Sequence, residues 1–478
     1  MFDVIIIGAG VNGCFIARDL AKYKLNVLVI EKESDVGDGT SSANSAIVHS
    51  GYDPHEGTLK ASLNVLGNKM YPAICKELDV AFEMNGSLTI STNPEEDQKL
   101  DELLELGKKN GANVRIINQK ELFKLEPFVT KKALRALYAP TAGIINPFEL
   151  CVALMENAMD NGVNLKLNEK VLGVSKENDT YIVKTDKDSY EGKVIVNCAG
   201  LYGDEVSNSI LEEKIELVPR KGEYYLLDHF NEPYVTHTLF SVPSSKGKGV
   251  LVAPTTSHNY LVGPSSTFTD DKDDVSTNND ILSDVVKEAY RIVDELPLQY
   301  VITEFAGLRA YHKSNDFVIN EKMKGFINVI GMQSPGLASA PATSKMVVEM
   351  IGDDIKLEKN PNFNPIRRPY IRLKYKSDKE KNELIEKNPQ FGKIICRCEE
   401  VSEGEIVDCI HRNCGATTIK GVKKRLRCGF GKCQGGFCQS LVLKILAREL
   451  NKDLKDINLK GDASYILLKE TKGDSYEK

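Results

Sequence analysis

Seven of the eleven cysteines lie between Cys396 and Cys438, and four of them form two close pairs. The pairs are Cys396-Arg-Cys398 and Cys433-Gln-Gly-Gly-Phe-Cys438. Two pairs of thiolates can hold a [2Fe–2S] cluster, and four thiolates also suit a tetrahedral zinc ion. In an intracellular chain such clustering indicates a metal or redox site rather than disulfides.

The choice of the second pair is not unique. Cys428 precedes Cys433 by the same spacing by which Cys438 follows it, so spacing alone leaves both pairs open. Cys409 and Cys414 have no partner at a spacing that would justify a ligand role.

A glycine-rich sequence near the start of the chain has the pattern of a dinucleotide-binding turn. Gly8, Gly10 and Gly13 follow an apolar strand pattern and open a helical one. The first glycine permits the tight turn, the second lets a pyrophosphate approach the backbone, and the third allows close helix–strand packing. The helix N-terminus, with Val11 and Asn12, then attracts the phosphate charge.

The second predicted strand, residues 27–30, ends in Glu31. A carboxylate at this distance from the glycines binds ribose hydroxyls, and it would repel the 2′-phosphate of NADP. The motif does not separate FAD from NAD, but the next loop does. Its small polar side chains suit a loop passing under a pyrophosphate and a flavin, and the predicted FAD contacts there are Thr40, Ser41, Asn44 and Ser45.

This loop carries a family resemblance. It is similar to the D-amino-acid-oxidase-like flavoproteins, and its pattern H-S-G-Y-x-P-x-x-G-T-L-K-A resembles glycerol-3-phosphate and 2-hydroxyacid dehydrogenases. The resemblance covers residues 1–350 and implies FAD as the cofactor. It further implies FAD contacts from Ala199 and Gly200 in V-I-V-N-C-A-G, and an adenine contact through the backbone of Val171.

Residues 305–342 resemble the glycerol-3-phosphate branch of this family, through the sequence G-M-Q-S-P-G-L. The resemblance implies that this sequence, with Gly336 and Leu337, packs against the isoalloxazine. Gly336 would let the backbone come close to the ring, and the following helix would point its N-terminus at the electron-rich edge of the flavin.

Oxidation of a phosphorylated alcohol needs a base for the hydroxyl proton and cations for the phosphate. The family places a catalytic histidine at His49, and histidine suits this role near neutral pH. Arg309 is the first choice for the phosphate and Lys248 the second, with Ser334 donating a hydrogen bond to the substrate. Two alternatives remain open: an internal ion pair for Arg309, and a solvated loop position for Lys248.

The cysteine pattern resembles the bacterioferritin-associated-ferredoxin-like [2Fe–2S] domain, through C-R-C-E-x-V-x-x-G-E-I and C-G-F-G-K-C-Q-G-G-F-C. The resemblance implies Cys396, Cys398, Cys433 and Cys438 as ligands, with zinc as the alternative to the cluster. Such domains are fused to the flavin subunit of anaerobic glycerol-3-phosphate dehydrogenases, so the two resemblances support each other. The basic stretch 420–427 would stabilise an anionic cluster or steer an acidic electron partner.

The predicted fold class is α/β: a Rossmann-like FAD-binding domain with an inserted mixed β-sheet substrate domain, plus a small helical cysteine-rich [2Fe–2S] module. We expect the oxidoreductase domain over residues 1–355, since strand and helix patterns alternate there. A polar, proline-bearing linker or wrapping segment follows over 356–392. The iron–sulfur module is expected over 393–445 and a charged tail over 446–478.

The composition of the chain is ordinary for a globular protein, with 478 residues and a net charge of −6, and its charge gives no indication of nucleic-acid binding. No apolar run reaches the roughly 18 residues of a membrane span. The apolar run at the start of the chain is short, contains Asp3 and has no basic residues before it, so it does not resemble a signal peptide. The lack of both features predicts a cytoplasmic protein. Peripheral association with a membrane through a partner stays open.

The resemblances together imply FAD-dependent oxidation of glycerol 3-phosphate to dihydroxyacetone phosphate, with electrons leaving through the cluster. We expect an electron-accepting partner subunit, a second flavoprotein that feeds quinone. Two other hypotheses remain: a 2-hydroxyacid dehydrogenase acting on a compound such as 2-hydroxyglutarate, and a non-catalytic electron-transfer or regulatory subunit. Residue types alone discriminate poorly between the two enzymes, because carboxylates and phosphates use the same cations.

Overall fold

The apolar run at the start of the chain forms a central strand in the computed structural model, which describes residues 1–243 and 249–469. The described residues form twenty-two strands: β1 Phe2–Ile7, β2 Val27–Ile30, β3 Ile47–Val48, β4 Phe82–Glu83, β5 Ser87–Ile90, β6 Arg115–Asn118, β7 Arg135–Ala139, β8 Gly143–Ile145, β9 Asn164–Lys166, β10 Val171–Glu177, β11 Thr180–Thr185, β12 Ser189–Asn197, β13 Val218–Leu227, β14 Thr238–Ser241, β15 Leu251–Pro254, β16 Tyr260–Gly263, β17 Thr267–Phe268, β18 Val301–Tyr311, β19 Val318–Met323, β20 Phe326–Ile330, β21 Ile394–Cys396 and β22 Val401–Ser402. The same residues form twelve α-helices: α1 Val11–Leu20, α2 Leu59–Leu78, α3 Pro94–Asn110, α4 Gln119–Leu125, α5 Pro147–Asp160, α6 Gly203–Asn208, α7 Asn279–Ala289, α8 Gly336–Asp354, α9 Asp378–Lys387, α10 Glu403–Ile410, α11 Ile419–Leu426 and α12 Gln439–Leu450.

The first large sheet carries the glycine turn. Its strand order is β10-β11-β12-β1-β2-β9, and β20 and β19 continue it beside β12. Strand β1 is parallel to both β2 and β12, and every residue of β2 is buried. A parallel strand covered on both faces needs apolar residues in both directions, which is why V-L-V-I lacks the polar alternation of a surface strand. Helices α1, α5 and α8 pack together beside this sheet.

The second large sheet supplies the other wall of the molecule. Its order is β17-β13-β16-β15-β14-β5-β7-β6, with β18 paired to β13, and all pairings except β5–β14 are antiparallel. Because its strands lie in the chain between strands of the first sheet, it is the inserted mixed sheet that the sequence predicts. The predicted α/β fold class is confirmed.

The polar segment after the first domain follows the surface of that domain. Within the predicted linker 356–392, the buried guanidinium of Arg367 donates a 2.9 Å hydrogen bond to Glu156 of α5. Arg372 forms a 2.8 Å ion pair with Glu149 of the same helix. Helix α9 lies in this segment and begins at the Ser377 capping box. The segment therefore wraps around the first domain and is not a free linker between the two domains.

The cysteine module, here residues 394–450, has its own apolar core. The hairpin β21–β22 and helices α10, α11 and α12 surround side chains such as Ile406, Val422 and Leu446. Helix α12 continues to Leu450, past residue 445, which is the predicted end of the module. The chain then folds back, and the backbone amide of Lys420 donates to the Leu459 carbonyl at 2.8 Å.

A buried ion pair joins the cysteine module to the nucleotide end of the chain. The guanidinium of Arg425 in α11 contacts both carboxylate oxygens of Asp35, at 2.7 and 2.9 Å, and both side chains are buried. Lys424 adds a 2.9 Å contact to Asp38. Two of the cations predicted to stabilise the cluster or steer a partner are therefore buried in the contact between the two domains.

Burial by itself would raise the pKa of Asp35, but the charges of Arg425 and Lys424 outweigh it and lower this pKa from 3.8 to about 2. A carboxyl with a depressed pKa in the folded state stabilises that state above its unfolded pKa, and the stabilisation is lost as the pH falls through the folded value. The contact is thus at full strength above about pH 4 and is lost as the pH falls to about 2.

We expect Arg425→Met to destabilise the docked module by about 3–5 kcal/mol, because it leaves the Asp35 carboxylate buried without its main partner. Hydrogen exchange of amides in α11 and α12 measures this loss. The double variant Asp35→Leu/Arg425→Met should recover part of it, since no charge is left buried. Arg368→Met, which removes an exposed pair with Asp408, should change protection by less than about 1 kcal/mol. Equal effects from Arg425→Met and Arg368→Met would contradict the assignment.

Candidate active site

One cavity of about 2300 Å³ lies between the two large sheets and the cysteine module. Most of the residues predicted to bind FAD line it: Gly8, Gly10, Val11, Asn12, Glu31, Thr40, Ser41, Asn44, Ser45, Val171, Ala199, Gly200, Gly336 and Leu337. The predicted substrate residues His49, Arg309 and Ser334 line the same cavity. Gly13 lies just behind the wall, and Lys248 lies outside the described residues.

The glycine turn has the close contacts that its sequence predicts. Gly8 has a φ of +102°, and a Cβ there would lie 2.4 Å from the carbonyl oxygen of Cys198. A Cβ on Gly13 would lie 2.0 Å from the Gly8 carbonyl oxygen. Neither backbone atom can move aside, so both positions require glycine. The result is a helix N-terminus that faces the cavity at Gly10, suited to the pyrophosphate of a dinucleotide.

The predicted ribose ligand holds the turn together. Glu31 accepts hydrogen bonds from the backbone amides of Ala9 at 2.7 Å and Glu33 at 3.0 Å, and burial raises the pKa of its carboxyl. Nearby, Asn12 has a buried side-chain oxygen for which the described residues offer no hydrogen-bond partner. A buried amide oxygen without a partner is costly unless a ligand satisfies it, so this wall fits a polar cofactor.

The small polar residues after the turn build the next part of the wall. Ser41 Oγ accepts a 2.9 Å hydrogen bond from the Val11 amide, which fixes the loop against the start of α1. Thr40 Oγ1 donates to the Leu308 carbonyl at 2.6 Å, and Ser45 Oγ lies 3.0 Å from the Tyr224 hydroxyl. The loop therefore joins the helix N-terminus to the second sheet, where a flavin would extend.

The candidate chemical groups lie beyond this loop. His49 Nε2 is 3.4 Å from Ser334 Oγ, and the imidazole packs against Phe240 with ring centroids 5.8 Å apart. The His49 carbonyl accepts a 2.6 Å hydrogen bond from Asn64 of α2, which fixes the backbone at this position. The imidazole is thus held beside a hydroxyl on the cavity wall, at the position where a proton could be accepted.

Within the described residues, Arg309 does not form the internal ion pair that the sequence left open. Its Nε and Nη2 atoms donate to the carbonyls of Arg220, Lys221 and Ser265 at 2.8 to 3.2 Å. The glycine at 222 leaves room for the guanidinium, because a Cβ there would lie 2.9 Å from Nη2. Burial lowers the pKa of Arg309, and the charge of Arg220 adds to this effect. No acceptor in residues 1–243 and 249–469 pairs with Nη1, which leaves a donor for an anionic ligand.

Two cavity residues were missed by reasoning from the sequence. Lys60, at the start of α2, lines the cavity and donates from its ammonium to the Asn315 carbonyl. Its signal was present, since it is the lysine of the G-T-L-K-A pattern. Gln333 holds the same loop through a 3.1 Å hydrogen bond to Asn315, and it lies next to Ser334.

Five cysteine thiols converge at the edge of the module. Cys398 Sγ lies 3.7 Å from Cys433 Sγ. Hydrogen bonds from the Cys428 and Cys438 thiols lower the pKa of Cys396. The thiols thus form a pair and a trio, and no three metal-binding side chains in the described ranges surround a single ion position. A pair and a trio in one corner fit a group that needs four thiolates spread over two irons.

The cysteine module also lines the cavity. Its residues Lys423, Arg427, Cys428, Phe430 and Cys438 line the same space as the glycine turn and His49. Their position could not be predicted from the sequence, because it follows from docking between segments almost 400 residues apart. The thiols of Cys428 and Cys438 and a flavin-sized site therefore share one cavity.

Among the helices in the described ranges, none is both long enough and apolar enough to cross a membrane.

Comparison with known proteins agrees with this architecture. A family model for FAD dependent oxidoreductases matches residues 3–350, and a model for the BFD-like [2Fe-2S] binding domain matches residues 394–448. The second match favours the cluster over zinc. A glycerol 3-phosphate dehydrogenase from Caloramator mitchellensis is 48% identical, over 99% of this chain and 100% of its own length.

Two further comparisons separate the candidate enzyme classes. A solved structure of L-alpha-glycerophosphate oxidase from Mycoplasma pneumoniae with FAD bound superimposes with a TM-score of 0.74 at 32% identity, over 77% of this chain and 99% of that one. An L-2-hydroxyglutarate dehydrogenase from Indibacter alkaliphilus is also 32% identical, but over 51% of this chain and 61% of its own. The chain belongs to the FAD dependent oxidoreductase family and carries a BFD-like [2Fe-2S] binding domain.

Proposed function

We propose that this protein oxidises sn-glycerol 3-phosphate to dihydroxyacetone phosphate and passes the electrons to its own iron–sulfur cluster. One observation carries the proposal: a single cavity brings together His49, Arg309 and the module thiols Cys428 and Cys438. A proton acceptor, an anion-binding guanidinium and an electron outlet are the groups that such a reaction needs. The full-length likeness to a glycerol 3-phosphate dehydrogenase supports the choice of substrate.

The substrate is proposed to bind with its secondary hydroxyl between His49 and Ser334 and its phosphate on Arg309. A bound FAD would supply the acceptor for the hydrogen of the carbinol carbon and its electron pair. His49 accepts the hydroxyl proton at Nε2, and Ser334 donates a hydrogen bond to the substrate oxygen. Arg309 holds the phosphate through its Nη1 donor, and Lys248 is the second cation in this proposal.

The rival substrate class, a 2-hydroxyacid, would use the same cations for its carboxylates. It has less support, because the Indibacter 2-hydroxyglutarate dehydrogenase is 32% identical over 51% of this chain, whereas the glycerol 3-phosphate dehydrogenase is 48% identical over 99% of it. A purely regulatory subunit would not need a histidine and a hydroxyl held together on the cavity wall. Anaerobic bleaching of the flavin by glycerol 3-phosphate, and not by 2-hydroxyglutarate, tests both alternatives.

The electrons are proposed to leave through a partner subunit, a second flavoprotein that feeds quinone. Cys398 is exposed and Phe437 beside Cys438 is 81% exposed, so the thiol edge faces outward as well as toward the cavity. A protein with eleven free cysteines fits a reducing compartment, which supports a cytoplasmic location with membrane association through the partner.

We expect His49→Gln to lower the rate of flavin reduction by glycerol 3-phosphate by roughly 10²–10⁴-fold, because the hydroxyl proton loses its acceptor. Anaerobic stopped-flow absorbance measures this rate. His229→Gln, which changes an exposed histidine outside the cavity wall, is the control. A parental rate in His49→Gln would remove His49 from the proposed reaction.

Arg309→Lys should lower kcat/KM for glycerol 3-phosphate by roughly tenfold to a hundredfold, through loss of a charge-assisted hydrogen bond. Steady-state rates are measured with glycerol 3-phosphate and with glycerol, which has no phosphate. This comparison distinguishes a loss of phosphate binding from a general structural effect of the substitution. If Arg309 holds the phosphate, the effect is confined to the phosphorylated substrate. If both substrates lose the same factor, Arg309 serves only to join β13 and β18.

Cys433→Ser is expected to prevent assembly of a normal cluster, whereas Cys428→Ser is expected to retain it, because the family pattern assigns Cys433 and Cys438 as ligands. Iron content and electron paramagnetic resonance of the reduced proteins provide the readout. Substrate bleaching of FAD should persist in both variants, since hydride transfer does not use the cluster. A parental signal in Cys433→Ser together with its loss in Cys428→Ser would exchange the two ligand assignments.

A further inference from the structure

Helix α11 of the cysteine module presents a row of cations toward the nucleotide end of the cavity. Lys420, Lys423, Lys424 and Arg427 follow the spacing that places side chains on one face of a helix, and all four line the cavity. From its sequence alone, this basic stretch is expected to stabilise the cluster or to steer an electron partner. The structure shows that its cations have different partners.

Three of the four cations have partners on the protein. Lys420 and Lys424 contact Asp38 at 2.8 and 2.9 Å. Arg427 donates to Glu399 at 3.0 Å and to the side-chain oxygen of Asn259 at 2.8 Å.

Lys423 differs from its neighbours. It is half-buried, and no carboxylate of the described residues lies within ion-pair distance of its ammonium. The ammonium lies over the face of Phe430, 4.5 Å from the ring centroid. Burial lowers the pKa of Lys423, the charges of Lys420 and Arg427 lower it further, and the thiolate of Cys438 opposes them with a smaller effect. An anion that enters the cavity beside this ammonium would therefore stabilise its charged form.

The surroundings of Lys423 indicate which anion this is. Phe430 stacks on Phe148, with ring centroids 5.8 Å apart and an interplanar angle of 9°. Phe148 lies in the first turn of α5, and α5 packs on residues Thr40–Ser42, where Ser41 is bonded to the start of α1. Lys424, the next residue of α11, donates to the Val36 carbonyl at 3.1 Å, and the Gly37 amide donates at 2.9 Å to the Ala9 carbonyl in the glycine turn. Helix α11 thus packs beside the turn whose amide donors suit a pyrophosphate, and Lys423 lines the cavity from this helix.

We infer that Lys423 binds the pyrophosphate of FAD, so that the iron–sulfur module completes the cofactor site of the flavin domain. The helix N-terminus at Gly10 would contact the pyrophosphate from one side and the Lys423 ammonium from the other. FAD retention then depends on the docking of a module that the family otherwise uses for electron transfer. The inference rests on FAD binding by the family and not on the proposed substrate, so a failure of one leaves the other intact.

The test is the dissociation constant of FAD for protein from which FAD has been removed under anaerobic conditions. We expect Lys423→Met to weaken FAD binding by roughly tenfold to a hundredfold, the effect of losing a hydrogen bond to a charged group. Lys423→Arg, which keeps the charge, should remain close to the parental value. Lys444→Met removes an exposed lysine from the same module and should have no effect.

Two competing ligands show where on the cofactor Lys423 acts. ADP, which carries a pyrophosphate and no flavin, should lose affinity for Lys423→Met by the same factor as FAD. Riboflavin, which carries no phosphate, should bind Lys423→Met and parental protein equally, and the iron content should be unchanged. Parental affinity of Lys423→Met for FAD and ADP would overturn the inference, as would an equal loss of riboflavin affinity or loss of the cluster.

Discussion

Arg425 and Asp35 form a buried, two-pronged ion pair between the cysteine module and the loop that follows the first two strands of the nucleotide-binding sheet. A guanidinium and a carboxylate removed from water are stable only in good mutual geometry, so the pair allows few other orientations of the module. Lys424 with Asp38, and Arg412 with Glu156, add further ion pairs across the same contact. The module is therefore a fixed wall of the cavity and not a mobile carrier on a flexible linker.

This fixed placement explains how one chain can combine hydride and electron chemistry. The histidine and guanidinium proposed to act on the substrate lie on walls built by the two sheets, while Cys428, Cys438 and Phe430 form the wall on the module side. A cofactor bound between them would have substrate at one end and the cluster at the other. Electron transfer is sensitive to distance, and a docked module keeps that distance constant through every turnover.

The sequence predicts those parts of the site that depend on local patterns. The contacts of Gly13 with Gly8, of Glu31 with the Ala9 amide and of Ser41 with the Val11 amide lie within or next to one strand–helix–strand unit, and they follow from residue type and spacing. The partner of Arg425 could not be predicted, since it lies 390 residues away in the chain. The partners of Arg309 could not be predicted either, because they are backbone carbonyls, and every residue carries one whatever its side chain.

Electrons from the substrate are proposed to pass from FAD to the cluster within one chain. Anaerobic stopped-flow mixing with glycerol 3-phosphate, followed by freeze-quench electron paramagnetic resonance, measures the rate at which the cluster is reduced after the flavin. The account predicts that this rate does not change when the protein concentration is varied tenfold. A rate that rises in proportion to protein concentration, or a cluster that stays oxidised while the flavin is bleached, would contradict it.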